Sequence, residues 1–266
     1  MKWWGWGDPD HRPQLPDHAV SFLRAEVGIA DQLRRPVALD DVRLGEPALT
    51  EDARKRLAAV VGEEYVRQDR RARVVHAAGK SYPDLVRQRA GQCEGAPDAV
   101  VSPGSTEEVR AVLDAAGDAG LAVVPFGGGT SVVGGVDPER GPFGAAISLD
   151  LGRLDALLAL DERSLTVTFG PGIRGPEAEA LLARRGLTLG HFPQSYEFAS
   201  LGGYAATRSA GQASTGYGRF DELVLGLRVA TPVGTLTISR PFFVSTRWSS
   251  RSAASSPASS RPASTS

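Results

Sequence analysis

The stretch Pro125-Phe126-Gly127-Gly128-Gly129-Thr130-Ser131-Val132-Val133-Gly134-Gly135 follows an apolar, strand-like run and carries almost no side chain that would keep a ligand off the backbone. Glycine has no Cβ, so residues here can take φ > 0 and turn successive N–H groups toward one anion, with the hydroxyls of Thr130 and Ser131 beside them. The run reads as a cradle for a diphosphate. Two other phosphate loops fail on spacing. A Walker A loop places Lys directly after its last glycine, whereas Gly134 is followed by Gly135 and the window holds no lysine. A G-x-G-x-x-G dinucleotide fingerprint needs glycine where Val132 stands. The bland alternative is a flexible glycine loop.

Outward from this loop, strand and helix patterns alternate. Asp98 to Ser102 is a short apolar strand. Ser105-Thr106-Glu107-Glu108 starts a helix with Val109, Val112, Leu113 and Ala116 on one face, ended by Gly120, and Leu121 to Pro125 is the strand that feeds the loop. Ala145 to Leu149 and Leu165 to Phe169 are further strands, and Pro176 opens a helix through Arg185 that Gly186 closes. The expectation is an α+β nucleotide-binding module over residues 96–236.

Residues 1–95 read as a polar, helical N-terminal arm, with helices at Pro16 to Val27 (Val20, Leu23, Val27) and after Thr50 (Leu57, Val60, Val61). Arg67, Arg70, Arg71, Arg73, Arg87 and Arg89 crowd one segment with His76, Lys80 and Tyr82. A solvated helix face is the default reading, and an anionic substrate or cofactor phosphate nearby is the sharper one. Trp3, Trp4 and Trp6 are expected to pack on the domain, with a peripheral membrane contact left open.

Thirty Lys and Arg against thirty-one Asp and Glu give a net charge of −1, which argues against a nucleic-acid partner. One cysteine, Cys93, excludes an internal disulfide or a cysteine-cluster metal site and fits a reducing compartment. With neither a signal-peptide core nor a membrane-length apolar run, the expected location is the cytoplasm. Residues 237–266 turn to Ser, Ala, Arg, Pro and Thr and are expected to be disordered. This tail breaks off a strand-like phrase ending Ala230-Thr231-Pro232, which fits a shifted reading frame as well as a natural end.

A second constellation runs from Gly190-His191-Phe192-Pro193-Gln194-Ser195-Tyr196-Glu197-Phe198-Ala199-Ser200-Leu201-Gly202-Gly203 to Thr207-Arg208-Ser209-Ala210-Gly211. It reads as a long loop of small residues that lets a flat ligand approach. With the glycine loop before it, this order resembles the FAD-binding module of the vanillyl-alcohol oxidase and p-cresol methylhydroxylase type. Glu197-Phe198 and Thr207-Arg208-Ser209-Ala210-Gly211 resemble the alkylglycerone-phosphate synthase branch.

The resemblance implies a two-subdomain α+β FAD module with a helical N-terminal arm, the C-terminal substrate (cap) domain missing, and FAD bound noncovalently, since no histidine or cysteine stands close to the glycine loop in sequence. It implies that Pro125, Gly127, Gly128, Gly129, Thr130 and Ser131 bind the diphosphate. Pro193, Gln194, Ser195, Tyr196, Glu197, Phe198 and Ala199, with Thr207, Arg208, Ser209 and Ala210, would line the ribityl and flavin portions, and His191 would be the catalytic histidine. The substrate would be a small molecule bearing a phosphate or carboxylate. In the alkyl-synthase branch the flavin exchanges an acyl for an alkyl chain without net oxidation; in the oxidase branch it takes a hydride from an alcohol or 2-hydroxy acid. A noncatalytic flavin-binding remnant is the third reading. The chain departs from the synthase pattern at Gln194, where that branch carries Asp, and lacks its third flavin segment after Leu236.

Overall fold

In the computed structural model, residues 1–8, 15–29 and 35–239 are described. The tail expected to be disordered lies outside the described residues from position 240 on. A four-stranded sheet forms the first lobe, in the spatial order Val66–Arg67, Ala99–Val101, Ala145–Asp150, Leu121–Phe126. The last three strands are parallel and the first is antiparallel to its neighbour. Parallel strands need a crossover, which the Thr106–Asp118 helix supplies between Ala99–Val101 and Leu121–Phe126. Ser105 caps that helix by accepting from Glu108 N at 3.0 Å, while the Glu108 carboxylate reaches past the cap to Gly104 N at 2.7 Å.

The apolar face of this helix (Val109, Val112, Ala116) and that of the Glu51–Val61 helix (Ala53, Leu57, Ala58, Val61) bury into one core with Ala99, Val101, Ala145, Ile147 and Leu149. Parts of the N-terminal region therefore pack directly onto this lobe. The region is largely helical as its pattern predicts, but Val66–Arg67 is an edge strand of the sheet and Leu57 is 1% exposed within the sheet's core. The Asp17–Val27 helix forms where expected yet buries none of its residues.

Asp98, fully buried, ties the lobe together. Its carboxylate accepts from Ala48 N and Ala146 N, both at 2.7 Å, and from Arg140 at 2.6 Å. Part of the arginine-rich segment is likewise structural rather than a solvated face. Arg73 is 5% exposed and donates to the carbonyls of Pro97 and Gly45 at 2.8 and 2.6 Å, and Arg70 donates to Val42 O.

A second core, built from Ile173, Ala178, Leu182, Leu189, Ala199, Leu201, Tyr204 and Phe220, makes the second lobe. The Leu157–Asp161 and Thr166–Phe169 hairpin leans on it through Leu160, Val167 and Phe169. The segment expected to be one long loop is partly helical: Leu201–Thr207, capped by Ser200, then the short turns Ser214–Tyr217 and Phe220–Leu223. Its apolar residues are spaced too sparsely to signal a helix, and the tertiary core supplies what the pattern lacks. A hairpin of Gly226–Thr231 with Gly234–Ser239 follows.

Candidate functional site

The glycine loop leaves the C-terminal end of the Leu121–Phe126 strand and meets the Phe198–Ser200 segment of the second lobe. Contact there is backbone to backbone. A Cβ at Gly128 would collide with the Phe198 carbonyl and lie 2.7 Å from Ala199 Cα, so only glycine fits, although residue 128 does not need a positive φ. The two stretches that the sequence reading treated as one ligand's walls thus touch.

A cleft of about 460 Å³ opens at this junction, with Phe126, Gly127, Gly128 and Phe198 on its wall. Most of the rest of its lining comes from places with no site motif in the sequence. His76, Lys80 and Arg174 bring positive or titratable nitrogen, Asp150, Asp155 and Glu177 bring carboxylates, and Lys2 and Trp3 of the N-terminal turn close one side. His76 and Lys80 belong to the arginine-rich segment, whose charge was the one available signal. Asp150 pairs in register with Phe126 across the sheet, so only strand pairing reveals its position.

His76 is 3% exposed, with its ring centroid 4.1 Å from that of Phe126, Nδ1 2.8 Å from Ala72 O and Nε2 3.3 Å from an Asp150 carboxylate oxygen. Burial pushes the Asp150 carboxyl upward, but His76 and the Gly152 N–H outweigh it and hold the group below its usual range. No histidine is near the glycine loop in sequence, yet His76 is beside it in space.

The other candidates divide. Ser131 Oγ accepts from Gly135 N at 2.9 Å, which closes the turn, and Ser131 O accepts from Lys80 N at 2.6 Å. Pro125, Gly129 and Thr130 flank the cleft glycines in the same loop. Pro193 to Ala199 form a compact turn in which Pro193 O accepts from Tyr196 N and Ser195 O from Phe198 N and Ala199 N, all at 2.9 Å. Gln194 and Glu197 face solvent.

Thr207, Arg208, Ser209 and Ala210 are outside the cleft lining. Thr207 bonds Gly203 O, and Arg208, left-handed at φ 51°, pairs with Asp221. His191 is 2% exposed, its ring 4.9 and 5.0 Å from those of Tyr204 and Phe220, with Nε2 3.0 Å from Ser209 Oγ. Burial holds its pKa below the usual histidine value, and Nδ1 is buried with no partner among the described residues.

Bare backbone amides in a cleft beside Lys80 and Arg174 suit a diphosphate. Residues 97–239 match the FAD binding domain family. The chain belongs to that family. FAD is the cofactor of this FAD-binding domain, and Gly127, Gly128 and the cationic lining are the groups here that fit it. The chain is 35% identical over 270 residues to the alkyldihydroxyacetonephosphate synthase of Trypanosoma brucei brucei, covering 91% of this chain and 43% of that protein. A solved alkyldihydroxyacetonephosphate synthase structure superposes with a TM-score of 0.81 at 32% identity, covering 90% of this chain and 49% of the other. p-Cresol methylhydroxylase, at 16% identity and a TM-score of 0.50 over 62% of this chain and 31% of its own, shares the fold. The chain thus spans under half the length of the curated alkyldihydroxyacetonephosphate synthases it matches. Among the described residues no helix is long and apolar enough to cross a membrane.

Proposed function

We propose that this chain is the FAD-binding part of an enzyme similar to alkyldihydroxyacetonephosphate synthase, acting on a small molecule that bears a phosphate. The observation that supports the reading best is the junction of the glycine loop with Phe198–Ser200 at one cleft, in a chain alike to a synthase over nine-tenths of its length.

When bound, the flavin supplies the electrophilic centre for exchange at carbon. The chain's own residues position it. Backbone amides of Gly127 and Gly128 would hold the diphosphate, Gly128 keeps the two lobes in contact, and Phe198 lines the cleft from the second lobe. His191, enclosed by Tyr204 and Phe220, is kept neutral by burial and bonded to Ser209. Its orphaned Nδ1 is the atom proposed to meet the cofactor or substrate, because a buried ring nitrogen without a partner is costly to keep. Binding is proposed to be noncovalent: the nearby His76 already directs Nδ1 to Ala72 O and Nε2 toward Asp150. A cytoplasmic setting is proposed on the buried free thiol of Cys93.

The test is to load the purified chain with FAD and record its absorbance with acylated dihydroxyacetone phosphate plus a fatty alcohol, and separately with 2-hydroxy acids. Ether product without lasting bleaching supports the synthase reading. Bleaching by a 2-hydroxy acid moves the chain to the oxidase class, flavin bands without turnover leave it a binding module, and no flavin uptake overturns the reading.

A further inference from the structure

The glycine loop holds no cation of its own, and the cleft supplies one from another part of the chain. Lys80 is 4% exposed and lines the same cleft as Gly127 and Gly128. Its backbone is fixed to the glycine loop, because Lys80 N donates to Ser131 O at 2.6 Å and a Cβ on the preceding Gly79 would run into that same carbonyl. The loop and the lysine therefore form one rigid unit.

An ammonium has three N–H donors. Two are used here, on Trp3 O at 2.9 Å and Gln88 Oε1 at 3.2 Å, and both acceptors are uncharged. The carboxylate that acts on its charge, Asp84, is engaged by Arg87 and by the Ser81 N–H. A buried cation held by neutral acceptors calls for an anion, since desolvating a charge without a counter-charge is unfavourable.

We propose that Lys80 is a cofactor-binding residue whose ammonium neutralises the FAD diphosphate in the cleft it shares with Gly127 and Gly128. This rests on the FAD reading above. The N-terminal turn is part of the same device: Lys2 N bonds Gly7 O at 3.0 Å, the Trp3 carbonyl aims the ammonium, and Trp6 lies 6.4 Å from the Phe198 ring. Burial lowers the Lys80 pKa to about 8, against the opposing pull of Asp84. The groups around it are Gln88, Asp84 and the Cys93 thiol, itself pushed up to about 11 by burial, with the Met1 α-amino group, Lys2, His76, Asp150, Asp155, Arg174 and Glu177 in the cleft. A diphosphate would draw the proton back onto Lys80, so FAD affinity falls as pH rises past about 8.

The experiment compares FAD with riboflavin, which carries the same ring without phosphate, by flavin fluorescence on the full apo chain. Lys80→Gln keeps an N–H donor for the Trp3 carbonyl but removes the charge. The expected result is about a 10- to 100-fold weaker affinity for FAD with riboflavin unchanged. Unchanged FAD affinity, or an equal loss for both ligands, overturns the assignment and leaves Lys80 a tether for the N-terminal turn. If the variant does not fold, calorimetry at about pH 9 in two buffers decides, on the wild-type chain with its Met1 α-amino group acetylated so that this neighbouring amine cannot take up the proton. Uptake of close to one proton with FAD and none with riboflavin supports the proposal, and equal uptake or none overturns it. A wild-type chain that binds riboflavin and FAD equally weakly removes the diphosphate reading itself, which is a different result from a silent Lys80→Gln.

Discussion

Gly128 is the residue on which the two lobes depend, because what a Cβ would strike there is backbone of Phe198 and Ala199 and cannot rotate away. Overpacking of this kind costs about 1–3 kcal/mol where the structure can yield, and here yielding means parting the lobes. Gly128→Ala is expected to weaken FAD binding at least about 10-fold while the first lobe unfolds at an unchanged urea midpoint; a variant that binds FAD like the wild type would show that the junction does not hold the cofactor. Asp98 is the opposite kind of residue, far from the chemistry. Removing its carboxylate strands two backbone N–H groups and Arg140, so Asp98→Ala should lose about 3–5 kcal/mol in urea unfolding. His191 was legible only as a histidine in a promising context. Its enclosure by Tyr204 and Phe220, residues 13 and 29 positions on, is a tertiary fact with no local signature.

The Thr106–Asp118 helix shows an element fully written in its own residues: a Ser105 cap, an apolar stripe, and Gly120 in the left-handed region after its end. Ser105→Ala should cost about 1 kcal/mol in thermal or urea unfolding. The same helix does something its pattern does not announce. Arg110 donates to Thr231 O at 2.8 Å and so pins the C-terminal hairpin to the first lobe. Arg110→Ala should speed amide hydrogen exchange across residues 226–239 and leave the central sheet protected, which mass spectrometry of peptic fragments would read. The Asp17–Val27 helix gives the converse lesson. Its apolar spacing is enough to form the helix, and nothing in that spacing tells whether a partner surface exists; here none of its residues is buried. The stretch from Leu201 to Thr207 was missed because Gly202 and Gly203 are poor helix formers, yet Ser200 caps it and Leu201 and Tyr204 bury into the second core.

At the scale of the molecule, the second core carries a pH dependence. Burial depresses the His191 pKa, so the unfolded chain, with a histidine titrating near about 6.5, binds that proton more readily than the folded one. Stability is fully present above about pH 6.5 and declines as pH falls toward the folded-state value; His191→Gln should flatten this part of the curve in urea unfolding measured from about pH 5 to 8. The chain's residues alone determined the glycine loop, the strand and helix order from Ala99 to Ala183 apart from the Leu157–Asp161 strand, and the pairing of two separated motifs into an FAD-binding family, because each is encoded by neighbours whose spacing fixes local geometry. Only the tertiary structure decided that the N-terminal region joins the central sheet, that Arg73 is a staple, and that His76, Lys80 and Asp150 share the cleft. Those facts depend on strand register and buried hydrogen bonds between residues dozens of positions apart, and a side chain's type and local pattern are the same whether it ends in water or in that cleft.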